Sequence, residues 1–321
     1  MESEKIKHIS PDMLRGHIAI LIAGVLWGAM SPVAKGVMVS GAVMPVALSG
    51  IRILGGTLVL WVVAAFLPKS VAGDGRMQRG DLWRLLLMSV MIISANQGLF
   101  ILGIGYTTPF EATVMSTMTP VFTLIFAAIF IAMPLTVMKV AGVALGLGGA
   151  LLMAFASRST ESAAIASNPT AGNLMCLCAQ ICAAVYFTSF RSVIDRYHPL
   201  TLLKWLFLLG TLTWVPFTVP AILSIDLQAM DASLWASIIF IVLGPTFISY
   251  VCMVYAQQRL RPTTVAMYNY IQPLTAAAIA SVMGLAAFGW ANIGATLMIF
   301  VGVALVAFAP GPMKGRVKHK S

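Results

Sequence analysis

Lys35, Arg52, Glu111 and Arg191 are among the ionisable side chains that stand inside or at the edge of long apolar runs, where a charge is hardest to place. Lys35 ends the stretch "WGAMSPVAK" (27–35), within a run that is otherwise apolar from His17 to Val39. At mid-bilayer a lipid-facing ammonium costs at least roughly 2.5–3.5 kcal/mol. Two environments are therefore open to Lys35. Its stem can snorkel to the interface, or its ammonium can border a polar cavity beside the backbone opened by Pro32, which removes an amide donor from the carbonyl of Gly28. Arg52 and Glu111 fall at a similar depth, so the three are expected to form an outer charge cluster that gates such a cavity. Against this, the N-terminal end of a helix by itself favours Glu111. Arg191 and Asp195 are i, i+4 neighbours, and the expectation there is a local ion pair.

Neutral polar residues at depth form a second set: Asn96 and Gln97, Gln180 and Tyr186, Tyr250, and Tyr268, Asn269 and Gln272. Each seeks a partner away from lipid, and singly each is satisfied by an interhelical hydrogen bond worth roughly 0.6–2 kcal/mol. Taken together with Trp27 and Lys35 they read as the lining of a substrate cavity rich in amides and aromatic rings. Metal chemistry finds little support. Cys178 and Cys182 share a helix face, yet no His or carboxylate accompanies them at ligand spacing, and Cys176 and Cys252 read as small packing residues. The four histidines, His8, His17, His198 and His319, are scattered, whereas a membrane-embedded transferase needs paired carboxylates, clustered histidines or a metal.

The elements that must position these residues follow from composition. Of 321 residues 60% are hydrophobic and only 9% charged, with mean hydropathy +0.94; a soluble domain carries roughly a quarter charged residues. Spanning a hydrocarbon core takes about 20 apolar residues as helix. Ten such runs are expected, at 17–39, 46–67, 85–103, 112–133, 136–156, 172–193, 200–223, 234–256, 264–286 and 288–309. Backbone amides in lipid must bond within the segment or in a closed barrel, and continuous runs without alternation favour helices. The fold class is all-α, a ten-helix membrane protein.

The net charge of +10 is distributed as a topology signal and needs no nucleic acid. Lys5, Lys7 and Arg15 precede the first run, Lys69, Arg76, Arg79 and Arg84 fill the second connection, and Lys314, Arg316, Lys318 and Lys320 end the chain. Alternate connections carry only Arg158. Basic residues stay cytoplasmic, which puts both termini inside; the expected location is a bacterial inner membrane.

The chain also repeats itself. A shift of 153 residues lays "TPFEATVMSTMTPVFTLIF" (108–126) on "RPTTVAMYNYIQPLTAAAI" (261–279), matching Pro109 with Pro262, Pro120 with Pro273 and Ser116 with Asn269. Nearer the start of each half the shift is 156, and Lys35 falls on Arg191. Five spans per unit is an odd number, so the two units face opposite ways: an inverted repeat, with substrate expected at their seam. The division is a cytoplasmic segment 1–16, a first repeat 17–156, an external linker 157–171, a second repeat 172–309 and a basic tail 310–321.

"LWGAMSPVAK" (26–35) with "LSGIRILGGTLVL" (48–60), then "ATVMSTMTPVFTLIFAAIF" with "VAGVALGLGGALLM", resemble the opening and close of an EamA domain, and the second half is similar but looser. The resemblance implies the drug/metabolite transporter superfamily: a secondary transporter, more often an exporter, of amino acids or related small metabolites. Such families commonly carry an acid just after the fourth and ninth helices; here "AMPL" (132–135) and "LAAF" (285–288) stand there, and no such role is carried over. A lipid flippase is the alternative reading. The partners implied are a small-molecule substrate and membrane lipids, with no nucleic acid, cofactor or metal; oligomeric state is left open, a monomer included. No Gly-x-x-x-x-Gly-Lys-Ser/Thr phosphate loop occurs, so energy comes from a gradient or from exchange.

Overall fold

Helix starts in the computed structural model follow local chemistry. Ser10 accepts a hydrogen bond from the Met13 amide and Pro11 fills the first helical position, so α1 runs Pro11–Val39 and begins well ahead of the apolar run. Capping chemistry, invisible to hydropathy, sets that boundary. Thr108 and Asn168 cap the helices beginning at Pro109 and Pro169 in the same way. The structure describes residues 10–156, 167–282 and 290–309. The segment 1–9, most of the expected external linker, Arg158, "LAAF" and the basic tail, with His8 and His319, lie outside them.

Among the described residues the chain is helical without strands. After α1 come α2 (Pro45–Phe66), α3 (Arg79–Tyr106), α4 (Pro109–Ser116), α5 (Thr119–Phe130), α6 (Val137–Ala156), α7 (Pro169–Ser189) and α8 (Pro199–Leu223). Then follow α9 (Ala232–Gln257), α10 (Pro262–Met267), α11 (Ile271–Val282) and α12 (Trp290–Phe308). Seven stretches are long and apolar enough to cross a membrane: α1, α2, α3, α4 with α5, α7, α8 and α9. Shorter apolar runs, Val137–Leu152 and Ile293–Phe308, lie in α6 and α12. Large apolar side chains point outward, Phe66 86% and Leu223 80% exposed, as a lipid-facing surface allows. This is a multi-pass integral membrane protein.

Two departures from regular helix bear on function, and each occurs twice. The expected single span at 112–133 is broken between α4 and α5. There the Thr117 and Thr119 hydroxyls donate to the carbonyls of Val114 and Ser116, and Pro120 sits in the first turn of α5. A tight turn over Tyr268–Tyr270 separates α10 from α11 in the same manner. Likewise α3 widens into a π-helical stretch at Val90–Gly98 and α9 at Val242–Ile248. Such local widening is frequent at functional sites.

Packing repeats the pattern. Helix α1 lies against α9 and α11, while α7 lies against α3 and α5; α2 pairs with α8, and α6 with α12. Exchanging α1 with α7, α2 with α8, α3 with α9, α4–α5 with α10–α11 and α6 with α12 leaves these contacts unchanged. The α6–α12 crossing is close because glycines face each other. A Cβ on Gly142 would lie 2.8 Å from the Gly302 carbonyl oxygen, and one on Gly302 would lie 2.7 Å from that of Gly142. In lipid such contact, rather than exclusion of water, holds helices together. Gly142→Val is therefore expected to destabilise the protein by about 1–3 kcal/mol through overpacking, read as a lowered melting temperature in detergent. Melting at the wild-type temperature would show a looser crossing.

Candidate functional site

The site begins at Pro245. Lacking an N–H, it cannot give the carbonyl of Ile241 the usual i→i−4 bond, and the helix widens here. The Thr246 hydroxyl donates to Ile241 O at 2.8 Å, and its oxygen in turn accepts Arg52 Nε–H at 2.7 Å. The carbonyl of Pro245 accepts Trp27 Nε1–H at 2.9 Å and a second, longer bond of 3.4 Å from Arg52. One proline in α9 thus fixes an arginine from α2 and a tryptophan from α1.

Arg52 lies at the wall of a cavity between the halves. Its polar lining is Asn96 and Gln97 of α3, Ser116, Thr119, Gln180 of α7, and Asn269 and Gln272; Trp27, Met30, Phe100, Phe187, Tyr250 and Met253 supply much of the apolar wall. The empty space is about 490 Å³, its open mouth included. Most of the amides are tied down. Asn96 donates to Ala179 O at 2.8 Å, Gln180 accepts from the Thr119 hydroxyl at 2.7 Å, and Gln272 donates to Asn269 Oδ1 at 2.7 Å. Gln97 is different. It is 1% exposed, yet neither amide atom has a hydrogen-bond partner. The Tyr250 phenol, which donates to Ile92 O at 3.3 Å, offers its oxygen to this amide in a contact outside good hydrogen-bond geometry. An orphaned buried amide costs about 1–3 kcal/mol, a cost that a ligand or water entering the cavity would relieve.

Seven of the ten expected lining residues share this cavity: Trp27, Asn96, Gln97, Gln180, Tyr250, Asn269 and Gln272. The other three lie elsewhere. Tyr186 is fully buried and donates to Gln257 Oε1 at 3.3 Å, and the Tyr268 hydroxyl lies 2.7 Å from His17 Nδ1. Lys35 neither snorkels nor faces the cavity. Its ammonium is spent on three carbonyls at the end of α3, those of Ile104, Gly105 and Thr107, at 3.1, 3.0 and 2.9 Å.

The expected cluster of Lys35, Arg52 and Glu111 does not form. Arg52 belongs to the cavity wall, and no ion pair joins Lys35 to Glu111. Instead the two meet through Thr107, whose carbonyl serves Lys35 and whose hydroxyl donates to the Glu111 carboxylate. The Asn173 side chain lies 2.8 Å from that same hydroxyl. The pair of Arg191 with Asp195 does form, at 2.8 Å. Arg191 also donates to the carbonyls of Leu260 and Gln258, at 2.5 and 3.2 Å. These match Thr107 and Gly105 at the 153-residue shift. In each half, then, a cation at the end of the first helix caps the end of the third.

Sequence reasoning passed over Met30, Phe100, Phe187 and Met253, although a signal existed. Each stands three, four or seven residues from a polar or aromatic member, Met30 from Trp27, Phe100 from Asn96, Phe187 from Gln180 and Met253 from Tyr250, and so on one helix face. Among the described residues no group of His, Cys, Asp or Glu is placed to hold a metal ion.

Comparison with known proteins agrees with this architecture. The model of the EamA-like transporter family matches residues 14–155 and again 170–308. A protein of Archaeoglobus fulgidus named an uncharacterized transporter is 22% identical over 235 residues, covering 72% of this chain and 79% of that protein. One from Streptantibioticus cattleyicolor, named a probable terminal-alkyne amino-acid exporter, is 26% identical over 270 residues, covering 82% and 84%. A solved crystal structure superposes with TM-score 0.70 at 20% identity over 94% of this chain and 100% of its own, a likeness of fold.

Removing either capping cation leaves helix-terminal carbonyls without donors. Lys35→Met and Arg191→Met are each expected to cost about 1.5–3 kcal/mol, measured by thermal or denaturant melting in detergent. The two effects are expected to add in the double variant, because the sites share no partner. An unchanged melting temperature in either single variant would remove the capping role.

Proposed function

The chain belongs to the EamA-like transporter family, and on that premise we propose that it is a secondary transporter exporting small organic metabolites, amino acids and related zwitterionic or heterocyclic compounds, by alternating access. The observation that carries the reading is a cavity rich in amides and aromatic rings to which both halves contribute, with the Gln97 amide buried in its wall without a well-formed hydrogen bond. The Streptantibioticus relative, by its name, supports export and an amino-acid cargo.

In this proposal ten membrane helices form two inverted five-helix repeats. Support comes from the π-helical stretches and broken helices recurring at equivalent places and from the unchanged packing under exchange of halves. In this proposal both termini are cytoplasmic, on the distribution of basic residues, and the membrane is the bacterial inner membrane. The cavity opens alternately to either side, and the chain carries cargo without chemical change, so it is not an enzyme.

Reconstitution into vesicles tests this. Solute counterflow is the expected result; lipid scrambling without it would favour a flippase, and product formation an enzyme. Gln97→Leu gives a sharper measure. Replacing an orphaned amide by an apolar side chain leaves the melting temperature equal or higher, while counterflow falls by roughly 10-fold. A variant that loses stability and keeps its transport would overturn the assignment. Glu111→Gln is expected to leave the response to an acid gradient unchanged, since the carboxylate is bound to Thr107 outside the cavity lining; loss of that response would assign Glu111 a coupling role.

A further inference from the structure

Arg52 is the one charged residue among those lining the cavity. It is 2% exposed, and no carboxylate pairs with it among the described residues. Thr246 and Pro245, its two hydrogen-bond partners, are neutral and engage only part of its five-donor fork. A guanidinium left so, in a low-dielectric setting, calls for an anion, and its planar fork matches a carboxylate in particular.

We propose that Arg52 makes the cavity a monocarboxylate site: the cargo's carboxylate lies on the guanidinium, its apolar body lies against Trp27, Phe187 and Tyr250, and it crosses as a net monoanion without a coupled proton. This rests on the transporter reading and departs from it in the charge of the cargo, a monoanion in place of a zwitterion. The charge balance decides between forms of one skeleton. A monoanion leaves the loaded cavity neutral, a zwitterion leaves the arginine charge standing, and a cation doubles it. An ammonium would find only neutral acceptors, such as the amide oxygen of Gln97, and no carboxylate. The amide oxygens of Gln180 and Asn269 already accept from Thr119 and Gln272, each at 2.7 Å, and Glu111 is engaged elsewhere. With no acid or histidine in the lining, nothing there exchanges a proton for cargo. The membrane potential, negative inside, drives a monoanion outward unaided.

The test uses full-length protein and trios that differ in charge on one skeleton: N-acetyltryptophan, tryptophan and tryptophanamide, with the corresponding leucine set. In detergent the N-acetyl forms are expected to raise the melting temperature most. Arg52→Gln is expected to need roughly 10- to 100-fold more ligand for the same shift. Arg52→Lys keeps the charge but loses the fork, so it keeps the charge preference at reduced affinity and carries the test where the glutamine variant does not fold. In vesicles loaded with N-acetyltryptophan, efflux above that of protein-free vesicles is expected to rise when potassium and valinomycin make the interior negative, and to ignore a pH gradient. Exchange of tryptophan or tryptophanamide in preference to the N-acetyl form, or a charge preference unaltered in Arg52→Gln, sinks the monocarboxylate site and leaves the transporter standing. If none of the six compounds shifts the melting temperature or exchanges, the monocarboxylate site falls, while the transporter reading, which covers other skeletons, is decided by the counterflow assay.

Discussion

A buried guanidinium held by neutral acceptors is the constraint on which the rest of the site depends. Arg52 is tolerated within the membrane domain because Pro245 disrupts the bonding of α9 and so makes acceptors available where a regular helix has none. The Thr246 hydroxyl donates to the carbonyl of Ile241 and accepts from the arginine, while the carbonyl of Pro245 holds both Arg52 and Trp27. Three helices are tied at one point. The cavity wall is fixed there, and the arginine is part of that wall.

Elsewhere the chain treats its cations oppositely. Lys35 and Arg191 are saturated by backbone carbonyls at the ends of α3 and α9. Each thereby offsets the partial negative charge that gathers at a helix C-terminus. Arg191 has Asp195 as a further partner, and Lys35 reaches Glu111 through Thr107. Equivalent positions in two divergent halves keep one physical task with two different side chains, because the task needs only a positive donor of sufficient reach.

The cavity forms where the helices are least regular. Asn96 and Gln97 lie in the π-helical stretch of α3, Ser116 and Thr119 flank the break between α4 and α5, and Asn269 lies in the tight turn before α11. Irregular backbone inside a membrane is stable only where protein or a wet cavity satisfies its groups. Polar side chains and broken helices therefore gather in one place for the same reason, and away from it α6 and α12 pack closely through glycines.

Hydropathy, the 153-residue repeat and the scarcity of charge were enough to specify a helical membrane protein built from two related units, and they singled out seven members of the cavity wall. Those features are written along the chain: the length of an apolar run and the cost of a polar group in lipid are local quantities. Which polar groups meet was decided by tertiary structure. Lys35, Arg52 and Glu111 looked alike in sequence because depth was all that could be read. Only the folded chain shows Lys35 spent on the end of α3 and Arg52 on the cavity wall, because each cation depends on an acceptor distant in sequence, Ile104 for the first and Thr246 for the second, while Glu111 accepts from its near neighbour Thr107.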